Sequence, residues 1–186
     1  MVRSFIAVEV DDALILDKIC QVQQTLRDCG ADLKIVKREN IHLTLRFLGE
    51  IGEGRVSEIT GLLQEVKFKP FDFSLKGVGV FPNERYIRVI WIGLKKGEKE
   101  LTEIASLIEQ RLRALRFPPD NKRFSPHLTI ARLRSKRNND NLIPYLREWR
   151  DRDFGLQLID TIHLKKSVLT PLGPIYSTLF ERRAEI

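Results

Sequence analysis

Three histidines occur in the chain, and two stand in the same setting: His42-Leu-Thr44-Leu and His127-Leu-Thr129-Ile. Both settings read as strands, in which side chains alternate between faces. His42 and Thr44 then share one face, as do His127 and Thr129, while Leu43, Leu45, Leu128 and Ile130 turn to the apolar side. An imidazole beside a hydroxyl suits work on a small anion. In-line opening of a cyclic phosphodiester needs a base to activate water and an acid to protonate the leaving oxygen. Histidine can do either near neutral pH, because its ordinary pKa is about 6.5. A hydroxyl can donate to the non-bridging oxygens, where negative charge gathers in the transition state. His42, His127, Thr44 and Thr129 are therefore the candidate catalytic residues. This chemistry calls for no metal and no cofactor.

A lone histidine on a strand is usually a hydrogen-bonded structural residue. Thr supplies only eight of 186 residues, so Thr two places after two of three histidines is hard to ascribe to chance. His163, in Thr161-Ile-His-Leu-Lys165, lacks the threonine and a counterpart, and it reads as structural. Other chemistries find no support in the sequence. There is no His-Glu-x-x-His, no Cys/His cluster at metal spacing, no Gly-rich phosphate loop ending in Lys-Ser/Thr, and no G-x-G-x-x-G after a strand.

The elements that must position the histidines occur twice. Phe5–Val10 reads as a strand, and Leu14, Ile15, Ile19, Val22 and Leu26 as a helical stripe stopping near Gly30. A basic connection with Lys34, Lys37 and Arg38 leads to His42. Val89–Leu94 begins the second pass, followed by a stripe of Leu101, Ile104, Ala105, Ile108 and Leu112 that ends before Pro118-Pro119. A connection with Lys122 and Arg123 leads to His127. Phe5 to His42 and Ile90 to His127 are both 37 residues, so the halves are displaced by 85. Helices over 53–66 and 141–149 and strand regions over 71–80 and 156–168 continue the parallel, and 175–180 reads as a last strand.

Such a duplication predicts an α+β chain forming one domain of two pseudo-symmetric lobes, about 1–85 and 86–186, facing each other across a two-fold axis. A parallel α/β sheet ranks second, because 71–80 and 88–94 look like an antiparallel pair around Pro82-Asn83.

The chain carries a formal net charge of +7, which favours an anionic partner. Arg132–Arg137 (RLRSKR) places four cations in six residues. Cys20 and Cys29 make no disulfide framework and read as free thiols, Cys20 in an apolar pattern. No apolar run approaches a membrane span, and the N-terminus lacks a signal-peptide pattern, so a cytoplasmic protein is expected. A monomer is expected as well.

His42-Leu-Thr-Leu-Arg-Phe-Leu-Gly-Glu50 and Ser125-Pro-His-Leu-Thr-Ile-Ala-Arg132 resemble the paired motifs of the two-histidine phosphoesterases. Within them the chain looks like the RNA 2′,3′-cyclic phosphodiesterases of bacterial and archaeal type, also called 2′-5′ RNA ligases. The likeness extends to Arg3-Ser-Phe-Ile-Ala-Val, Gly79-Val-Phe-Pro82, Val89-Ile-Trp91 and Gly173-Pro-Ile-Tyr176. It implies antiparallel sheets lining a central cleft, with helices outside. It implies hydrolysis of an RNA terminal 2′,3′-cyclic phosphate to a 2′-phosphate, with tRNA halves joined in the reverse reaction. By that analogy His42 is the acid, His127 the base, and Thr44 and Thr129 hold the phosphate. The residues themselves leave the two histidine roles interchangeable.

Three further residues are candidates for binding substrate. Arg46 falls on the face of His42 if the strand continues, within reach of a phosphate. Arg132 matches an arginine of the family. Simple alternation turns it away from His127, so either the strand bulges or ends there, or Arg132 is a surface residue. Tyr176 follows a turn and could stack on a base or bond the nucleotide; a core role serves it equally. Phe47 alternates away from His42 and reads as core. Two alternatives stand beside the enzyme acting on RNA ends: an RNA- or tRNA-binding module without turnover, and a phosphodiesterase for small cyclic or 2′-5′-linked nucleotides.

Overall fold

The computed structural model describes residues 1–120 and 123–185; Lys122 of the second basic connection lies outside them. Nine strands form one sheet: β1 (Val2–Glu9), β2 (Leu33–Ile35), β3 (His42–Ile51), β4 (Phe71–Asn83), β5 (Tyr86–Lys96), β6 (Leu128–Leu133), β7 (Asp153–Ile159), β8 (Thr161–Thr170) and β9 (Gly173–Arg183). Four helices accompany them: α1 (Ala13–Asp28), α2 (Glu53–Gln64), α3 (Glu98–Ala114) and α4 (Leu142–Glu148). The strand order is β7-β4-β5-β6-β3-β1-β8-β9, with β2 beside β6. Every pairing is antiparallel, which sets aside the parallel alternative.

Local chemistry explains the helices. Asp12 caps α1 by accepting from the Ile15 amide at 2.9 Å, and Gly30, at φ +75°, takes the left-handed conformation just past its end. The buried stripe of α1 is Ile15, Leu16, Ile19, Val22 and Leu26; Leu14, expected in it, is exposed and Leu16 takes its place. All five expected apolar residues of α3 are buried. Each fully buried Leu or Ile contributes about 1.5–3 kcal/mol of transfer free energy. Both cysteines are free, and Cys29 rather than Cys20 is the buried one.

The order of elements repeats as the spacing predicts, but the halves of the sheet are not 1–85 and 86–186. β4, from the first repeat, pairs with β5 of the second, and β8, from the second, pairs with β1 of the first. One half is therefore β3-β1-β8-β9 and the other β6-β5-β4-β7. A boundary at 85/86 cuts the β4–β5 turn, where Asn83 Oδ1 accepts from the Arg85 and Tyr86 amides at 3.0 Å each. The helices exchange likewise: α1 and α4 pack together under β6, β7 and β4, and α2 and α3 under β3 and β9. The strand region expected over 156–168 divides at Asp160 into β7 and β8.

The halves meet at one ladder position, Leu43 opposite Leu128. Both are fully buried on the helix-covered face. The opposite face at this seam carries the site.

Candidate active site

Register at the seam determines which polar groups meet. With Leu43 opposite Leu128 in antiparallel strands, His42 stands beside Thr129 and Thr44 beside His127 on the open face. His42 and His127 are thus diagonal neighbours, with backbones about 7–8 Å apart. A phosphate fits between two imidazoles so placed.

Both rings are fixed in the same way. His42 Nδ1 donates to the Asn40 carbonyl at 2.7 Å, and His127 Nδ1 donates to the Ser125 carbonyl at 2.7 Å. A carbonyl can only accept, so each Nδ1 carries hydrogen and each Nε2 is the nitrogen with a lone pair to take a proton. His42 Nε2 lies 3.0 Å from Thr44 Oγ1. Asn40 is itself buried, and its Nδ2 donates to the Pro174 carbonyl at 2.9 Å, which ties His42 to the start of β9.

The surroundings of the two rings differ. Phe5 lies 4.8 Å from the His42 ring, and Tyr176 meets it edge-on at 5.3 Å. Burial lowers the His42 pKa; the Asn40 carbonyl opposes this, and the Lys165 charge adds to it. Burial likewise raises the Tyr176 phenol. At His127, Phe81 stands edge-on at 5.0 Å and Trp91 at 6.4 Å. Trp91 can lie flat because its cross-strand partner is Gly79, where any Cβ would sit 2.4 Å from the indole.

Bulges decide the remaining assignments. Across β1, Ala7 opposes Thr44 and Ile6 opposes Arg46, so Leu45 is an extra residue. Across β5, Trp91 opposes Thr129 and Ile90 opposes Ala131, so Ile130 is extra. Each bulge makes two consecutive residues face the helices and inverts the alternation beyond. Arg46 consequently turns away from His42 and pairs with Glu109 of α3, its Nε donating at 2.8 Å. The expected phosphate contact from Arg46 is therefore a misplacement. Phe47, read as core, comes to the open face instead, 47% exposed and stacked on Phe5 at 5.6 Å. Arg132 comes to the open face for the same reason, opposite Val89. Its charge acts on both His42 and Tyr176. Register also shows that the counterpart of Phe5 is Val89 rather than Ile90, since Phe5 opposes Phe47 and Val89 opposes Arg132.

Tyr176 and Arg132 thus join the four catalytic candidates, and Arg46 does not. Sequence reasoning missed Asn40 and the ring walls Phe5, Phe81 and Trp91. It also missed Glu9 and Lys165, which are bonded to each other and line a pocket with Asn40, His42 and Tyr176. The equal spacing of Asn40 and Ser125 from their histidines was the available signal for the carbonyl anchors. His163 stands on the open face opposite Ala7, with Glu9 and Glu181 each at 3.9 Å, and burial lowers its pKa. Among the described residues, no group of three His, Cys, Asp or Glu could hold a metal ion, and no helix is long and apolar enough to cross a membrane.

Comparison with known proteins agrees with this geometry. A model of the LigT-like phosphoesterases matches residues 10–91 and again 92–176. The chain is 36% identical over 180 residues to an RNA 2′,3′-cyclic phosphodiesterase of Methanothermobacter thermautotrophicus, covering 96% of both chains. It is 42% identical over 177 residues to the Archaeoglobus fulgidus protein of the same name, covering 95% of this chain and 97% of that one. The E. coli LigT structure complexed with 3′-AMP superposes at a TM-score of 0.81, with 22% identity and 98% of each chain covered. With both repeats matched and relatives aligned along nearly its full length, this chain belongs to the LigT-like family of two-histidine phosphoesterases.

Proposed function

We propose that the protein hydrolyses the terminal 2′,3′-cyclic phosphate of RNA to a 2′-phosphate, with His42 and His127 as the acid–base pair and no metal in the step. The observation that carries this reading is the matched pair of histidines across the Leu43–Leu128 seam, each held through Nδ1 by the carbonyl two residues before it. The names of the full-length relatives point to the same substrate. One Nε2 takes a proton from water, water attacks phosphorus, the P–O3′ bond breaks, and the other Nε2 gives its proton to O3′. Thr44, Thr129 and Arg132 receive the charge on the non-bridging oxygens. The same steps with a 5′-hydroxyl in place of water would join 2′,3′-cyclic phosphate and 5′-hydroxyl ends of tRNA halves through a 2′-5′ linkage, O3′ again leaving with the proton.

Family analogy makes His42 the acid. In the free protein, burial favours the neutral ring, which is the form of a base. A bound phosphodiester anion beside the ring favours its protonated form, so His42 takes up its proton together with the substrate. The exchanged assignment, His42 as base, follows if the ring stays neutral in the complex.

The test uses an RNA oligonucleotide ending in a 2′,3′-cyclic phosphate, assayed with EDTA present. Wild type is expected to form the 2′-phosphate, and His42→Ala and His127→Ala each to lose at least ~10²-fold. A substrate with sulfur in place of O3′ needs no protonation, so it should restore His42→Ala but not His127→Ala. Restoration of His127→Ala instead would exchange the roles. An inert wild type, or variants equal to it, would leave a binding module.

A further inference from the structure

The open face continues beyond the histidines along β5 and β6, and its character changes there. Past the Trp91–Gly79 rung come Phe81 opposite Val89, with Arg132 on the other side of Val89. Arg88 is an extra residue in β5, because Phe81 opposes Val89 while Pro82 opposes Ile87. Ile87 is buried, and the next rung returns Tyr86 to the open face opposite Asn83. Asn83 lies four steps beyond Gly79 along β4, a run of about 13 Å at about 3.3 Å per residue. Tyr86 lies too far out to touch the nucleotide that carries the reacting phosphate.

Tyr86 is 40% exposed and held in place. Arg88 donates to its phenol oxygen at 2.8 Å and lies 4.8 Å from the ring centre, and Lys136 Nζ lies 5.4 Å from it. The surrounding charge is unbalanced. Arg85, Arg88, Arg132, Arg134, Lys136 and Arg137 form no ion pair among the described residues, whereas seven of the other fourteen arginines do, among them Arg38 with Asp17, Arg111 with Glu65 and Arg150 with Glu84. At this end of the sheet six such cations gather on one hairpin and on β6 with the loop after it.

We propose that the single-stranded RNA body 5′ of the cyclic phosphate leaves the cleft over the β4–β5 hairpin, stacking a base on Tyr86 and running its phosphates along Arg132, Arg88 and Lys136. An aromatic ring set among unpaired cations is a platform for single strands, since every base offers a π-face and every linkage a negative charge. An acidic protein would use the charges but not the ring. A duplex keeps its bases stacked internally and has no use for the platform. The inference rests on the proposed activity for its direction, cyclic end inward and chain outward.

The test pairs two substrates and two readouts. A 5′-labelled single-stranded RNA octamer ending in a 2′,3′-cyclic phosphate gives Kd by fluorescence anisotropy and KM by turnover, and a nucleoside 2′,3′-cyclic phosphate gives turnover alone. Tyr86→Ala should raise Kd and KM for the octamer about 10-fold, the scale of one lost base stack. Tyr86→Phe should restore them. Lys136→Ala should reduce the slope of log Kd against log salt by about 0.7. Turnover of the nucleoside cyclic phosphate should be unchanged in all three. Octamer values unchanged in Tyr86→Ala, or equal losses on both substrates, would overturn the path. An octamer bound by wild type but never hydrolysed, with the nucleoside also untouched, would sink the proposed activity; the anisotropy arm would still decide the path.

Discussion

Gln23 provides a direct way to test whether the bulge in β6 controls Arg132. This side chain projects from α1, is buried, and donates from Nε2 to the Ile130 carbonyl at 2.9 Å and the Val36 carbonyl at 2.8 Å. Ile130 is the bulged residue, and its carbonyl also accepts from the Val36 amide at 2.9 Å. Gln23→Met keeps the volume and removes both donations. The Ile130 oxygen keeps one partner, while the Val36 oxygen loses the side chain that satisfied it. An ordinary lost bond costs about 0.5–1.5 kcal/mol and an unsatisfied buried carbonyl about 1–3 kcal/mol, so a loss of about 2–4 kcal/mol is expected. Urea unfolding measures it as a lower midpoint at unchanged m. The same variant should raise KM for the RNA substrate, because a relaxed bulge lets Arg132 return toward the helix face. Wild-type stability in Gln23→Met would refute the account of the bulge. Lost stability with unchanged KM would detach the bulge from Arg132.

Two further outcomes follow from the contacts. Arg46→Ala should cost about 1–3 kcal/mol, because its charged bond to Glu109 joins two largely enclosed side chains, 13% and 19% exposed. It should leave KM near wild type, while Arg132→Ala raises KM with little loss of stability; the reverse pattern would return Arg46 to the site. Stability should also fall as pH drops below about 6.5, the ordinary histidine pKa. His42 and His163 are held neutral by burial, so on unfolding they take up protons that the folded chain refuses. The loss runs from that pH down to their lowered folded values, and His163→Gln should flatten it in unfolding curves taken at pH 7.5 and 5.5. A flat wild-type profile would contradict it. Glu9 acts at more acid pH: burial raises its pKa, but the Lys165 bond and the His163 charge outweigh burial, so its contribution fades as the carboxylate protonates.

Periodicity carried the sequence reading where structure is local. The α3 stripe, the paired His-x-Thr strands and the β4–β5 turn all follow from spacing within a few residues. The lobes did not, because strand exchange is a long-range choice: nothing in 71–83 says that its other edge will pair with 153–159, and nothing in 161–170 says that it will pair with 2–9. Arg46 failed for a different reason. A bulge adds one residue to a ladder without changing composition, so alternation counted from His42 runs out of phase at Leu45. The reading allowed a bulge before Arg132 and none before Arg46, although an offset of 85 makes Phe47 and Arg132 equivalent. Applied to both repeats, that single extra residue would have placed all three side chains.

That equivalence also bears on how a near-symmetric site runs an asymmetric reaction. The repeat supplies two imidazoles with the same carbonyl anchor, two threonines and two bulges. Chemistry at phosphorus needs an acid on one side and a base on the other, so the difference must come from what surrounds the repeat. The position beyond the first bulge holds Phe47, stacked on Phe5 near His42; beyond the second it holds Arg132, whose charge reaches across the seam to His42 and Tyr176. Burial and cations thus act on His42 together, and both disfavour its proton until an anion arrives. A Phe47→Arg and Arg132→Phe exchange leaves both His-x-Thr pairs intact and inverts that bias. If flanking residues set the roles, the exchange should move the substrate-linked proton uptake from His42 to His127, read by NMR titration of the two rings with and without a bound nucleotide phosphate. Uptake that stays at His42 would assign the asymmetry to its burial between Phe5 and Tyr176 alone.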